Sequence, residues 1–333
     1  MTDPRTLLAD PHWLPHRIDP GARTIEFLQL ERAALAEPAF LADRQGPTQA
    51  LPWAEVQNAV AETGAAETGP IHFVFHTAFC RSTLLARALE IPGVSAGLSE
   101  PGVFAGLVNA GSAGEPLVKP VVDLLSRPWG QGEAVFAKPT NHANRLIPAL
   151  MNAAPQARAI LMTNPLPSFL AAVIRKGMMG RRWARQLYLE LMGYAGMDLG
   201  MDGREQFAMT DLQAGGLAWF LNQRYFDAVA RQYGDRVRVL DGDRFDAERA
   251  QTLAAIGSFT GVGIDAGRAR EIAEGPVFTR DAKTGRDYAD KAREDAAATQ
   301  SAVVEDEIAK VGEWIGLIAK QAGLDVPLKQ TLF

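Results

Sequence analysis

Four short apolar runs alternate with helix-like segments between residues 71 and 240. The runs are four or five residues long: Ile71–Phe75, Ala134–Ala137, Arg158–Met162 and Arg236–Leu240. Helical spacing is found in Ser82–Leu89, Ala143–Asn152, Pro165–Ile174, residues 211–233 and, near the C-terminus, residues 304–318. Short runs without strict alternation are typical of strands buried on both faces of a sheet. The pattern therefore predicts βαβ units, a mostly parallel central sheet and an α/β fold.

The first 69 residues follow a different pattern. Thr24–Leu30 is predicted as a strand and Leu51–Glu62 as a short helix. The small, polar segment 63–70 suits a linker. We therefore predict an N-terminal extension over residues 1–69, which could recognise an acceptor or a partner, and one α/β domain over residues 70–333.

Composition narrows the class of protein. The chain has 333 residues, of which 47% are hydrophobic and 22% charged, and its formal net charge is −5. The acidic balance argues against a general nucleic-acid surface, and the single cysteine, Cys80, excludes disulfide scaffolds and cysteine zinc sites. No apolar run approaches the roughly 20 residues that span a membrane, and residues 1–17 lack the apolar stretch of a signal peptide. We expect a cytoplasmic protein without nucleic-acid or membrane partners.

The segment Phe73–Leu85 (FVFHTAFCRSTLL) carries the clearest chemical signal. A buried strand leads through a loop into a helix that begins at Ser82–Thr83, and backbone N–H groups at such a junction favour an anion. The predicted contacts to a phosphorylated donor are Thr77, Cys80, Arg81, Ser82 and Thr83. The Walker pattern is absent, because its two glycines and lysine would fall on His76, Arg81 and Ser82. An N-capped turn without a ligand explains the same residues equally well.

Five motifs in order resemble the sulfotransferases, P-loop-like α/β proteins that use 3′-phosphoadenosine 5′-phosphosulfate (PAPS). The motifs are the loop and helix up to Ser99-Glu100-Pro101, Val135–Pro139, Ala157–Ala171, Val237–Phe245 and Phe278–Tyr288. The resemblance spans Ile71 to Arg293. It implies a P-loop-like three-layer αβα fold and transfer of a sulfuryl group from PAPS to a hydroxyl or amine acceptor, a small molecule or a peptide, with no metal required.

The sequence departs from the family at donor-binding positions. Phe79 stands where the family has Lys or Arg, and Arg81 stands where it has Gly. Thr163 and Ala171 replace the Arg and Ser that hold the 3′-phosphate. Each lost charge-assisted hydrogen bond is worth about 1.5–3 kcal/mol, so PAPS or PAP binding does not follow from the fold.

Other residues could compensate for these losses. Arg81 could replace the loop cation, and Ser168 lies one helical turn before Ala171. Arg175 belongs to a basic cluster with Lys176, Arg181, Arg182 and Arg185. Lys283 and Arg286, with Arg280, form a second cluster that could close over an anionic donor. The alternative for both clusters is a solvated surface.

Three residues are predicted to act on the acceptor. Glu100 follows a short segment before Pro101, which places it at a strand end facing the ligand crevice, and it is the first choice of general base. His142 is the second. Lys138 is predicted as a charge stabiliser; a salt bridge from Lys138 to Glu100 or Asp241 is the structural alternative. Glu100 and His142 could instead serve at helix starts.

Two further readings remain open for the whole protein. The altered loop permits another nucleotide-dependent transferase, such as a kinase, in which Thr83 and an Asp would hold Mg²⁺. A non-catalytic binding module on the same fold is the other, and a homo-oligomer is compatible with the sequence. A reactive Cys80, with a pKa depressed by the helix start and Arg81, is a minor alternative.

Overall fold

The computed structural model describes residues 3–37, 40–63, 68–279 and 301–333. Its strands are β1 (Trp13–Asp19), β2 (Thr24–Gln29), β3 (Thr48–Pro52), β4 (Ile71–His76), β5 (Ser95–Ser99), β6 (Ala134–Lys138), β7 (Ala159–Thr163) and β8 (Val237–Asp241). The first three form an antiparallel sheet in the order β1-β2-β3. The other five form a parallel sheet in the order β5-β6-β4-β7-β8.

Helices connect and cover these sheets. In the described part of the chain they are α1 (Pro4–Ala9), α2 (Ala33–Ala36), α3 (Trp53–Thr63), α4 (Ser82–Ala88), α5 (Val103–Ala110), α6 (Val118–Leu125), α7 (Ile147–Ala153), α8 (Leu166–Arg175), α9 (Gly177–Met192), α10 (Gly203–Ala208), α11 (Asp211–Tyr233), α12 (Gly242–Ala247), α13 (Arg249–Thr260), α14 (Ala266–Ala273) and α15 (Ala302–Gln321). None of these helices is long and apolar enough to cross a bilayer.

Alternate residues of the parallel strands enter two different hydrophobic clusters. Phe73 and Phe75 of β4 pack on the face covered by α5–α9, α11 and α15. Val74 packs on the opposite face with α4, α13 and α14. In β7, Leu161 and Met162 divide between the two faces in the same way. The sheet is therefore the middle of three layers, as the short apolar runs predicted, because both of its faces must be apolar.

The α/β fold and the positions of four parallel strands, β4, β6, β7 and β8, were predicted correctly, and α11 has the predicted bounds. One prediction was wrong: Leu51 and Pro52 end strand β3, and the helix begins at Trp53. The predicted helix Ala143–Asn152 is divided into a 3-10 helix, Asn141–Leu146, and α7. Residues 64–67 of the predicted linker lie outside the described residues.

The N-terminal extension packs against the α/β domain through a hydrophobic cluster that both parts contribute to. Ile25 and Phe27 of β2 belong to the same cluster as Phe73. A buried guanidinium ties the two parts together, because Arg127 donates to the backbone carbonyl of Trp13 at 2.9 Å. The two sheets therefore share one hydrophobic core.

Candidate functional site

All five parallel strands end at one edge of the sheet. From β5 to β8 in spatial order, the residues at or just after the strand ends are Glu100, Lys138, His76, Asn164 and Asp241. The chain leaves the central strand β4 for β5, returns to β6 beside β4, and then continues to β7 and β8 on the other side. This reversal creates a crevice beside the carboxyl end of β4, where open α/β sheets bind ligands.

The loop from β4 to α4 occupies this crevice in a strained conformation. Ala78, Phe79 and Arg81 have φ values of 32°, 57° and 63°. Residues that carry a Cβ atom rarely adopt this left-handed backbone conformation, which costs about 1–2 kcal/mol for each residue. Arg81 stands where the resembled family has glycine. The loop therefore has a left-handed backbone at this position although the residue is not glycine. Strain of this kind is concentrated at functional sites.

Neighbouring elements hold the loop in place. The Thr77 backbone N–H donates to the Met162 carbonyl at 3.0 Å. The Asn164 side-chain amide donates to the Phe79 carbonyl at 3.4 Å. The Phe79 ring packs edge-on against Trp183 of α9, with 5.0 Å between ring centroids. Phe79, where the family has a cation, therefore anchors the loop to the helical layer.

Cys80 is fully buried in this loop. Burial raises the pKa of its thiol, which opposes the predicted depression by the helix start. A buried thiol whose pKa is raised is a poor nucleophile, which argues against the reactive-cysteine alternative. Ser82 and Thr83, which begin α4, are also buried.

Arg81 and Ser168 lie close together in the structure, and both side chains contact the carboxylate of Asp243. The Arg81 guanidinium forms ion pairs with Asp243 and, at 3.0 Å, with Asp246. Ser168 Oγ donates to Asp243 Oδ2 at 2.7 Å. Asp241 accepts the backbone N–H groups of residues 243 and 244 and so caps α12. The charge of Arg81 is therefore shared by two carboxylates of the neighbouring strand–helix junction.

Glu100 and Lys138 form a pair at the ends of β5 and β6. The Lys138 ammonium is fully buried and donates to Glu100 Oε1, whereas the Glu100 side chain is 16% exposed. His76 Nε2 lies 3.8 Å from the same oxygen and 3.1 Å from the Pro139 carbonyl, which it contacts as a donor. Glu100 has a φ of 53°, which is again left-handed. Glu100 therefore directly follows the end of β5, the strand-end position that was predicted, and Lys138 forms its ion pair with Glu100.

The other predicted residues are more scattered. His142 lies in the 3-10 helix Asn141–Leu146 that follows β6, and its ring contacts Glu190 of α9 at 3.2 Å. Arg175 ends α8 and is exposed. Lys283 and Arg286, with Arg280, lie outside the described residues. At the position of the family's 3′-phosphate arginine, the Thr163 hydroxyl accepts from Gln223 at 3.1 Å.

Sequence reasoning missed two contacts to the pair. The Phe40 ring lies over the Lys138 ammonium, 5.3 Å from ring centroid to Nζ. The Ala42 N–H donates to the Glu100 carbonyl at 3.0 Å. Both residues come from the N-terminal extension, about 60 residues or more from their partners in sequence. No local pattern marks them, because they lie in a largely irregular segment.

Within the described ranges, no group of three or more His, Cys, Asp or Glu residues is arranged to hold a metal ion.

Comparison with known proteins identifies similarity only at the level of the fold. No protein-family model matches the chain, and no curated protein matches it. Among solved structures, the sulfotransferase domain from the curacin biosynthetic pathway aligns over 78% of this chain and 99% of its own length. The two share 13% sequence identity with a TM-score of 0.42. At this distance the likeness concerns the fold alone.

Proposed function

We propose that this protein is a sulfotransferase-like enzyme that transfers a sulfuryl group from PAPS to a hydroxyl or amine acceptor. The observation that carries the proposal is the Glu100–Lys138 pair at the crevice edge. Lys138 ends β6, which is next to β4, and Glu100 follows β5, which is the next strand beyond β6. The pair is therefore close in strand order to the strained loop that follows β4. Five motifs in the family's order support the choice of donor.

Glu100 is the proposed general base. Lys138 and His76 both contact Oε1, and Oε2 is the oxygen proposed to meet the acceptor. The carboxylate takes the proton of the acceptor hydroxyl as that oxygen bonds to sulfur. The bond between sulfur and the bridging phosphate oxygen breaks, and PAP leaves with the electron pair. The products are the sulfated acceptor, PAP and a proton held on Glu100.

Backbone N–H groups of the loop and the hydroxyls of Ser82 and Thr83 are proposed to stabilise the leaving phosphate. Lys138 is proposed to keep the Glu100 carboxylate in place. It adds positive charge near the acceptor oxygen. The residues of the 1–69 extension that lie beside this pair are proposed to contribute to acceptor recognition.

A second candidate, transfer from a nucleotide without a 3′-phosphate, is favoured by one observation. Arg81 is paired with Asp243 and Asp246, and Thr163 and Ala171 provide no cation for a 3′-phosphate. If neither the cluster that contains Arg175 nor the loop that contains Lys283 and Arg286 supplies that cation, ATP with Mg²⁺ is the expected donor. A binding module without catalysis is the remaining candidate.

Calorimetric titration with PAP, AMP and ATP plus Mg²⁺ separates these candidates. The sulfotransferase proposal predicts that PAP binds at least about tenfold more tightly than AMP, a difference of about 1.4 kcal/mol for the 3′-phosphate. It also predicts that Glu100→Gln retains PAP binding but abolishes transfer from PAPS to a panel of hydroxyl and amine acceptors.

Arg81→Ala and Arg249→Ala form a matched pair for this titration. Both side chains are about one-third exposed and both contact Asp246, but only Arg81 belongs to the loop. The affinity for PAP should fall in Arg81→Ala and should stay at the wild-type value in Arg249→Ala. Binding of ATP alone would support the kinase-like candidate. Absence of binding to all three nucleotides would support the non-catalytic binding module.

A further inference from the structure

The segment Phe40–Asp43 of the N-terminal extension lies directly on the Glu100–Lys138 pair. The Phe40 ring is 5.3 Å from the Lys138 ammonium. Two residues later, the Ala42 N–H donates to the Glu100 carbonyl at 3.0 Å. One short segment therefore contacts the side chain of one partner and the backbone of the other.

Close packing fixes this segment against the start of α5. A Cβ atom added to Gly102 would lie 2.7 Å from the His16 carbonyl and 3.4 Å from Ala42 Cα. One turn later, a Cβ atom added to Gly106 would lie 3.1 Å from the Ile18 backbone nitrogen. Only glycines permit such an approach, so the N-terminal sheet and α5 meet at backbone distance with little room to shift.

The two contacts suit the chemistry of the pair. An ammonium group has three N–H donors, and an aromatic face stabilises its positive charge without competing for the hydrogen bond to Glu100. The backbone of Glu100 is held in a left-handed conformation that it would not adopt on its own. A hydrogen bond to its carbonyl from Ala42 opposes relaxation of that strain.

We propose that Phe40 and Ala42 are positioning residues for the Glu100–Lys138 pair. Phe40 keeps the Lys138 ammonium directed at the carboxylate, and the Ala42 N–H holds Glu100 in its strained backbone conformation. The N-terminal extension is thereby part of the site. The catalytic consequence rests on the proposed function, whereas the positioning itself does not.

The test compares Phe40→Leu with Phe40→Tyr. Leucine keeps apolar bulk but removes the aromatic face, and tyrosine restores that face. Hydrogen exchange, followed by mass spectrometry, measures amide protection over residues 98–106, where the Glu100 N–H donates to the Lys138 carbonyl. Exchange there should accelerate about 5- to 30-fold in Phe40→Leu, the range of a partly desolvated cation–π contact. Phe40→Tyr should restore protection.

A distant reference region and a surface variant act as controls. Peptides covering β8, residues 237–241, at the opposite edge of the parallel sheet from β5, should keep wild-type protection in Phe40→Leu. Phe207→Leu, at a residue 87% exposed on α10, should leave both regions unchanged. Equal acceleration in β8 and in residues 98–106 would indicate general loosening and overturn the proposal. Unchanged exchange over residues 98–106 would overturn it as well.

Kinetics separate this inference from the proposed function. If the protein transfers sulfuryl groups, kcat should fall about 5- to 30-fold in Phe40→Leu while PAP affinity stays within about twofold, with rescue by Phe40→Tyr. A wild-type protein that neither binds PAP nor turns over would refute the proposed function. The exchange experiment would still decide whether Phe40 positions the pair.

Discussion

Arg32→Ala tests how the N-terminal extension is joined to the parallel sheet. The Arg32 guanidinium pairs with Glu90 at 2.9 Å and with Glu133, and donates to the Ser95 carbonyl at 3.0 Å. The side chains of Glu90 and Glu133 are only 4% and 3% exposed. Without Arg32, two buried carboxylates lose the cation that lies between them.

The expected cost follows from this burial. Removing one partner of a buried ion pair costs about 3–5 kcal/mol, because the remaining charge is left uncompensated. Each carboxylate keeps one backbone hydrogen bond, from Gly97 at 2.8 Å and from Gly93 at 2.6 Å, so the lower half of that range is expected. For 333 residues, an unfolding entropy of about 0.7 kcal/mol per kelvin converts a cost of about 3–4 kcal/mol to a Tm lower by about 4–6 °C.

The loss should depend on pH. Burial raises the pKa of Glu90. A carboxyl group whose pKa is higher in the native state than in the unfolded state stabilises the protein at low pH. This stabilisation is lost as the pH rises through the native-state pKa. The Arg32 charge opposes this loss in the wild-type protein. Arg32→Ala is therefore expected to cost more at about pH 8 than at about pH 5.

Urea unfolding at both pH values measures the effect. Arg5→Ala is the matched control, because Arg5 and Glu62 form an ion pair with side chains 82% and 65% exposed. That pair should contribute less than about 1 kcal/mol at either pH. The variant Arg32→Ala with Glu90→Gln and Glu133→Gln should recover part of the loss. An Arg32→Ala cost equal to that of Arg5→Ala would refute the reasoning.

Three further predictions concern β4 and its loop. Burial lowers the pKa of His72 to about 4, so the unfolded state binds a proton at a higher pH than the native state does. The free energy of unfolding should therefore fall by about 3 kcal/mol between pH 6.5 and pH 4. Denaturant unfolding at several pH values should show a smaller fall in His72→Phe. In Gly242→Ala the new Cβ atom would lie 2.3 Å from the Cys80 carbonyl, so urea unfolding should show a loss of about 1–3 kcal/mol. The fully buried Cys80 thiol should react with a disulfide reagent at least about 100-fold more slowly in the native than in the unfolded state, and a kinetic absorbance assay measures both rates.

Each of these predictions has a direct control. The pH dependence of His72→Phe should differ from wild type below pH 6.5 and coincide above it, and parallel curves throughout would contradict the assigned cause. Gly263→Ala should change stability by less than about 1 kcal/mol, because nothing lies within 4 Å of its added Cβ atom. Rapid labelling of native Cys80 would show that the loop opens, and Gly242→Ala should increase that rate.

Local sequence patterns were enough to predict the layers of the fold. Strands β4, β6, β7 and β8 were recognisable because both faces of the sheet are covered, which requires continuous apolar runs. The bounds of α11 follow from the capping residue Thr210 and a long helical pattern. The error at Leu51–Glu62 arose because a strand and a helix meet there without a break.

Local patterns also placed Glu100 and Lys138 at strand ends, and parallel strands bring such ends to one edge. They could not choose the ionic partners. Arg81, for example, pairs with Asp243 and Asp246, more than 160 residues away in sequence. Which charges meet depends on how α12 packs against the loop, and side-chain periodicity carries no information about that packing.

The sequence by itself determined the apolar periodicity, the strand–loop–helix junction and the identities of the chemical groups, because these depend on neighbouring residues. Only the tertiary structure decided that Phe40 and Ala42 meet the Glu100–Lys138 pair. It also decided that Arg81 adopts a glycine-like conformation. Both outcomes depend on contacts between distant segments, which form only when the two sheets pack into one core.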